Sequence, residues 1–131
     1  MQCRSINPGT WQDQFDFSQA VEVTGAQKIV YCAGQVSVDK EGALLHPSDM
    51  EAQFHCALDN LERVLAEAGL TLGNLTRLNY CVTDVPAFLE AVPKVGARLK
   101  AAGCKPASTL LGVIRLAMPG AMIALEGTAV A

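Results

Sequence analysis

The chain has 131 residues, 50% of them hydrophobic and 18% charged, with a formal net charge of -3. That length makes one compact domain over residues 1–131, able to bury about two thirds of its unfolded surface. The acidic balance excludes the basic stripe that a phosphate backbone demands, so a small molecule rather than nucleic acid is the expected partner.

The first residues, "MQCRSINPGTWQ", lack the apolar core of a signal peptide, and no run approaches the ~20 apolar residues needed to cross a bilayer. A cytoplasmic protein without a membrane partner is expected. Its five cysteines, Cys3, Cys32, Cys56, Cys81 and Cys104, are odd in number and widely spaced, which fits reduced, mostly buried thiols rather than a disulfide framework or a zinc site. "WQDQF" reads as an edge segment with Trp11 over the rim.

Two apolar stretches follow, "FSQAVEVTG" and "KIVYCAGQVSVD", joined through Thr24-Gly25-Ala26-Gln27. Alternation at Val21/Val23 and Ile29/Tyr31 predicts a hairpin. Gly42 and Pro47 close its second strand. Ser48 with Glu51 three residues on forms a capping box, and Met50, Phe54, Ala57, Leu58, Leu61, Leu65 and Ala68 then recur at helical spacing up to Gly69.

"NLTRLNYCVTD" predicts a third strand. Asp84 caps a second helix with the stripe Phe88, Val92, Val95 and Leu99, but Pro93 falls inside it, where proline costs about 3 kcal/mol. The sequence therefore predicts a turn over residues 85–91 and the main helix from Val92, with Pro93 at its first position and Gly103 as its stop. Two strands end the chain, residues 109–117 and "AMIALEGTAVA", separated by Met118-Pro119-Gly120.

This order predicts an α+β domain with one sheet and two helices on one face. The strands "TLLGVIRLA" and "MIALEGTAVA" are apolar on both faces, so the uncovered face needs a partner. A closed oligomer such as a barrel-like trimer supplies one and leaves clefts between subunits.

"AGQVSVD", "AQFHCALDNLERVLAEAGLTLGNLTRLNYCVTDVPAF" and "KPASTLLGVIRLA" resemble successive segments of the RidA/YjgF family, also described as endoribonuclease L-PSP-like. Gln53, Asn60, Leu65, Gly69 and Asp84 keep its register. The resemblance implies a chorismate-mutase-like α+β fold, one mixed sheet with two helices on one face, a barrel-like homotrimer, ligand sites at the subunit interfaces, and no metal or cofactor. It also implies a deaminase activity, the hydrolysis of enamines and imines derived from amino acids. That chemistry uses a guanidinium to clamp the substrate carboxylate and a carboxylate to position water.

The chain departs from this pattern at the site. Ser108 stands where the family's arginine is expected, Ala124 where its first paired glutamate is, Phe17 for a tyrosine, Ala33 for a serine and Val92 for an asparagine. Gly34 and Gln35 are retained, and Thr109 and Leu110 follow Ser108, so these nine positions form the candidate ligand site. Strand alternation puts Ser108, Leu110 and Gly112 on one face and Thr109, Leu111 and Arg115 on the other. Glu126, two residues past Ala124, is the candidate catalytic carboxylate. His55 and Cys56 are helical neighbours pointing about 100° apart, which is unsuited to a nucleophile pair. The sequence thus leaves three readings: a divergent imine deaminase using Glu126, a noncatalytic binder of an apolar molecule, and a regulatory trimer without a ligand.

Overall fold

The computed structural model describes all 131 residues. The first long helix, α1 (Met50–Glu67), forms where the apolar period was read, and Phe54, Ala57, Leu58, Leu61 and Leu65 are buried along it. Its cap is one residue later than the sequence suggested. Ser48 takes a left-handed φ of 63°, which places Asp49 at the boundary, and the Asp49 carboxylate accepts from the Ala52 amide at 3.0 Å. Gly69 ends the helix at a φ of +75°.

The second helix, α2 (Val85–Ala101), corrects the expected break. It starts at Asp84, whose carboxylate accepts from the Ala87 amide at 3.0 Å, and runs unbroken through Pro93. Pro93 and Leu89 both lie on the exposed side, where water can take the carbonyl that the proline leaves unpaired. Phe88 and Ala91 before it, and Val95 and Leu99 after it, are buried. Burying such side chains stabilises by about 1.5–3 kcal/mol each, enough to offset one interior proline.

The main sheet has the order β3 (Ile29–Tyr31), β6 (Ile123–Val130), β4 (Leu75–Val82), β5 (Ala107–Gly112). Only β4 and β5 are parallel, as the crossover through α2 requires. β1 (Gln2–Ile6) and β2 (Ala20–Thr24) pair as a separate antiparallel ribbon, which meets the main sheet through a bridge between Ser18 and Ala107. These mixed sheets with two helices realise the expected α+β fold.

Two strand expectations need correction. The predicted hairpin does not form, because β2 pairs with β1 and β3 pairs with β6. After Gly25 the chain is captured by the C-terminus instead, with the Gln27 and Lys28 amides donating to the Ala131 carbonyl at 2.8 and 2.9 Å. The strand expected over residues 109–117 starts and stops earlier. It pairs in register with β4 as far as Val82 opposite Gly112, and β4 then turns into α2, leaving residues 113–117 nothing to pair with. Arg115 accordingly lies in an exposed loop.

The pairing register sorts the two faces. Leu78, Val82, Ile123, Leu125 and Ala129 point to the helices and are fully buried. The opposite face mixes Ile29, Tyr31 and Leu111 with Arg77, Asn79 and Glu126. Tyr31 is 79% exposed there and Ile114, just past β5, is 99% exposed.

Gln53 is a completely buried polar side chain that ties this layout together. Its amide nitrogen donates to the His46 and Gly120 carbonyls, both at 3.1 Å, and its Oε1 accepts from the Met122 amide at 2.8 Å. Gln53→Met keeps the volume but orphans three backbone groups. It should lower unfolding stability by roughly 2–5 kcal/mol, read from urea midpoints, since each buried unpaired group costs about 1–3 kcal/mol. An unchanged midpoint would contradict the tethering role.

Candidate functional site

Two groups of the candidate residues are separated by the sheet. On the helix side, Ser108 pairs in register with Leu78 and Leu110 with Tyr80, so both side chains face α2. The start of α2 closes tightly on the end of β5, where a Cβ at Gly112 would come within 2.9 Å of Val85 Cγ2. Farther along, a pocket of about 340 Å³ opens between β5, α2 and residues 15–17. Gly96 lines it, and the missing side chain leaves room on the helix surface. Phe17, Val92, Ser108 and Leu110, four of the candidate residues, converge on this pocket.

The pocket concentrates the chain's aromatic residues. All four phenylalanines and one of the two tyrosines line it. Phe54 stacks on Phe88 at 5.3 Å between centroids, Tyr80 tilts against Phe88 at 5.3 Å, and Phe15 stacks on Phe17 at 6.0 Å. Such pairs hold ring positions more firmly than aliphatic contacts do. Trp11 sits 5.8 Å from Phe17 and is exposed at the rim.

Polar groups in the pocket are few. Ser108 Oγ donates to the Pro106 carbonyl at 3.3 Å, which leaves its lone pairs free. Burial first, then Cys104 and Asp16, push the Tyr80 phenol above its usual range, so Tyr80 remains a protonated donor. Sequence reasoning treated Tyr80, Phe54 and Phe88 as core and did not single out Phe15 or Asp16. The clustering of phenylalanines at 15, 17, 54 and 88 was the signal, and only the fold unites them.

On the outer face lie Thr109, Ala124 and Glu126, with Ala33 and Gly34 beside them, while Gln35 is paired opposite the inward-facing Leu125. Gln35 exchanges backbone hydrogen bonds with Leu125 at 2.7 and 2.9 Å, and a Cβ at Gly34 would sit 3.8 Å from the Ala124 Cβ. Thr109 Oγ1 accepts from Arg77 at 3.0 Å. Glu126 is exposed and accepts from Asn79 Nδ2 at 3.3 Å, while the buried Asn79 Oδ1 has no partner. One chain therefore does not bring Glu126 to Ser108, because they stand on opposite sides of the sheet.

Elsewhere, His55 is engaged by Arg98, whose Nη1 lies 3.1 Å from the His55 carbonyl and 3.3 Å from Nδ1. The Arg98 guanidinium also pairs with Asp59 and Glu62 at 2.7 and 2.9 Å, joining α1 to α2. Cys56 is turned to the Val38 carbonyl rather than to His55. No cluster of three or more His, Cys, Asp or Glu side chains is placed to hold a metal ion, and no helix is long and apolar enough to cross a membrane.

Against known proteins, the endoribonuclease L-PSP family profile matches residues 12–131. A RutC family protein of Aquifex aeolicus is 31% identical over 100 residues, covering 76% of this chain and 77% of its own. YyfB of Yersinia pestis, a crystal structure from the conserved Rid protein family with unknown function, is 36% identical and superposes with a TM-score of 0.85 over 100% of both chains. The YjgF gene product of E. coli is 28% identical with a TM-score of 0.69, covering 87% of each chain.

Behind the pocket, burial pushes the Cys104 thiol up to about 12, and it raises Cys32 as well. An unfolded thiol ionises near about 8.5. Because the folded value is raised, this stability is fully present below about pH 8.5 and is lost as pH climbs toward 12. Unfolding stability should fall above pH 9 by about 1.4 kcal/mol per pH unit for this group. Cys104→Ala should flatten that slope in urea titrations between pH 8 and 10.5. An identical slope in the variant would contradict the assignment.

Proposed function

Because this chain belongs to the endoribonuclease L-PSP family, the Rid/YjgF group, we propose that it is a small-molecule-binding homo-oligomer whose ligand enters the aromatic pocket and carries no carboxylate there. The pocket itself supports the reading: about 340 Å³, nine of twelve lining residues apolar, and neither arginine nor lysine among them. That volume suits a compact organic ligand, at the lower end of the usual range of about 300–1,000 Å³. A carboxylate would lose its hydration there without gaining a cationic partner, which costs several kcal/mol.

The homotrimer implied by the family resemblance fits the split of the candidate residues. Each chain offers a pocket half, with Phe17, Val92, Ser108 and Leu110, and an outer-face half, with Thr109, Ala124 and Glu126 beside Ala33 and Gly34. A cleft between copies would oppose the halves of two chains. The orphaned Asn79 Oδ1 and the exposed Tyr31 and Ile114 favour coverage of that outer face. A second reading, imine hydrolysis with Glu126 as the water-positioning carboxylate, draws on the Asn79 contact that orients Glu126. It ranks below because nothing in the pocket replaces the guanidinium.

Two experiments test this. Gly96→Leu fills the pocket while replacing a helical glycine, which alone favours the helix by about 0.5–1 kcal/mol over glycine. It should weaken binding of the neutral fluorescent probe N-phenyl-1-naphthylamine by about tenfold or more, a loss of roughly 1.4 kcal/mol, without lowering the urea midpoint. Equal affinity in the variant would remove the pocket as the ligand site. Separately, ammonia release from 2-iminopropionate should stay at the buffer rate with both the wild-type protein and Ser108→Arg, because Ala124 supplies no carboxylate. Acceleration by the wild-type protein would transfer the conclusion to the hydrolase.

A further inference from the structure

The geometry points to an organic amine as the ligand, its ammonium directed to Asp16 and its apolar body held among the aromatic rings. This inference deepens the preceding reading and rests on that pocket being a ligand site. Asp16 is the pocket's one charged lining residue. It lies between Phe15 and Phe17 in the sequence and enters none of the chain's ion pairs, which involve Arg4 with Glu22, Lys40 with Glu41, Lys94 with Glu51, and Arg98 with Asp59 and Glu62. Asp16 is exposed at the rim of the pocket, and after burial and Cys104 its charge adds to the upward shift of the Tyr80 hydroxyl.

Three features favour a cation, against a single neutral donor, the Tyr80 hydroxyl. Aromatic faces are electron-rich and attract a cation that lies over them, and five such rings line this cavity. Ser108 Oγ spends its hydrogen on the Pro106 carbonyl, so toward the cavity it can only accept. Asp16 adds a full negative charge at the mouth. A neutral apolar guest would leave the exposed Asp16 carboxylate hydrated and unpaired, whereas an ammonium would pair with it and donate to Ser108. Where the family resemblance leads one to expect an arginine that attracts anions, this chain has built a surface that attracts cations.

The cavity's size selects against a peptide or a lipid and for a primary or methylated amine with a phenyl or branched alkyl body. Three matched probes test this by calorimetry at pH 7: 2-phenylethylamine, 2-phenylethanol and 3-phenylpropionate. The amine should bind at least about tenfold tighter than the alcohol, and the carboxylate weakest. Asp16→Asn should reduce the amine to the affinity of the alcohol and leave the alcohol within about twofold. Raised salt should weaken the amine alone, a readout that needs no variant.

If the alcohol or the carboxylate binds as tightly as the amine, or if Asp16→Asn leaves the amine unchanged, the inference is overturned while the pocket remains a ligand site. If none of the three binds at millimolar concentration, the pocket reading fails and takes the inference with it.

Discussion

Leu58, Leu61, Leu65, Leu78, Val95, Ile123 and Leu125 are shut off from solvent in a single layer between the two helices and one face of the sheet. Everything of functional interest depends on how that layer ends. α1 packs against both α2 and β6, so the middle of the sheet is sealed. β5 is the edge strand beyond β4, and the helix that leads into it closes tightly on it near Gly112. The space left between them is walled by five aromatic rings together with Leu89, Val92, Leu99 and Leu110. Close packing is the rule in protein interiors, and a gap of about 340 Å³ at the sheet edge is the departure from it on which the proposed ligand site rests.

The same edge explains the altered chemistry. Ser108 follows the buried Pro106 and points to the helix side, at the position where the family resemblance implies a clamp for a carboxylate. Ser108 is short and uncharged there, and Phe17 and Val92 add apolar surface to the same walls. These features agree with one another: a pocket without cationic or amide donors, lined by quadrupoles, with one carboxylate at its mouth. On the reading proposed above, the open cavity and its paired aromatic walls fit a different ligand class better than erosion of a site.

How much of this was legible in the sequence differs by element. The stripe of α1 was plain because an amphipathic period over eighteen residues has no competing interpretation. Its cap was misread because Ser48 and Asp49 are both good caps and only the left-handed backbone at Ser48 decides between them. β1 went unread since every residue but Ile6 is exposed, so no apolar alternation marks it. The supposed hairpin had the right composition but the wrong partner, because strand pairing is decided by the whole sheet and not by the turn. Pro93 misled in the other direction, since a local rule was overridden by tertiary packing on both sides of it.

At the site, the facing of Ser108 and Leu110 followed from alternation, and the position of Ser108 against the family pattern drew attention to the strand that lines the aromatic pocket. Asp16, Tyr80, Phe54 and Phe88 were hidden, because an apolar period records that a residue faces inward but not that it faces a cavity. The account is tested most directly by mapping where a small aromatic ligand perturbs the backbone amides of the isotope-labelled protein by NMR. It requires the shifts to cluster at residues 15–17, 88–99 and 108–110. Shifts confined to Gly34, Ala124 and Glu126 on the outer face, with the aromatic pocket silent, would contradict it.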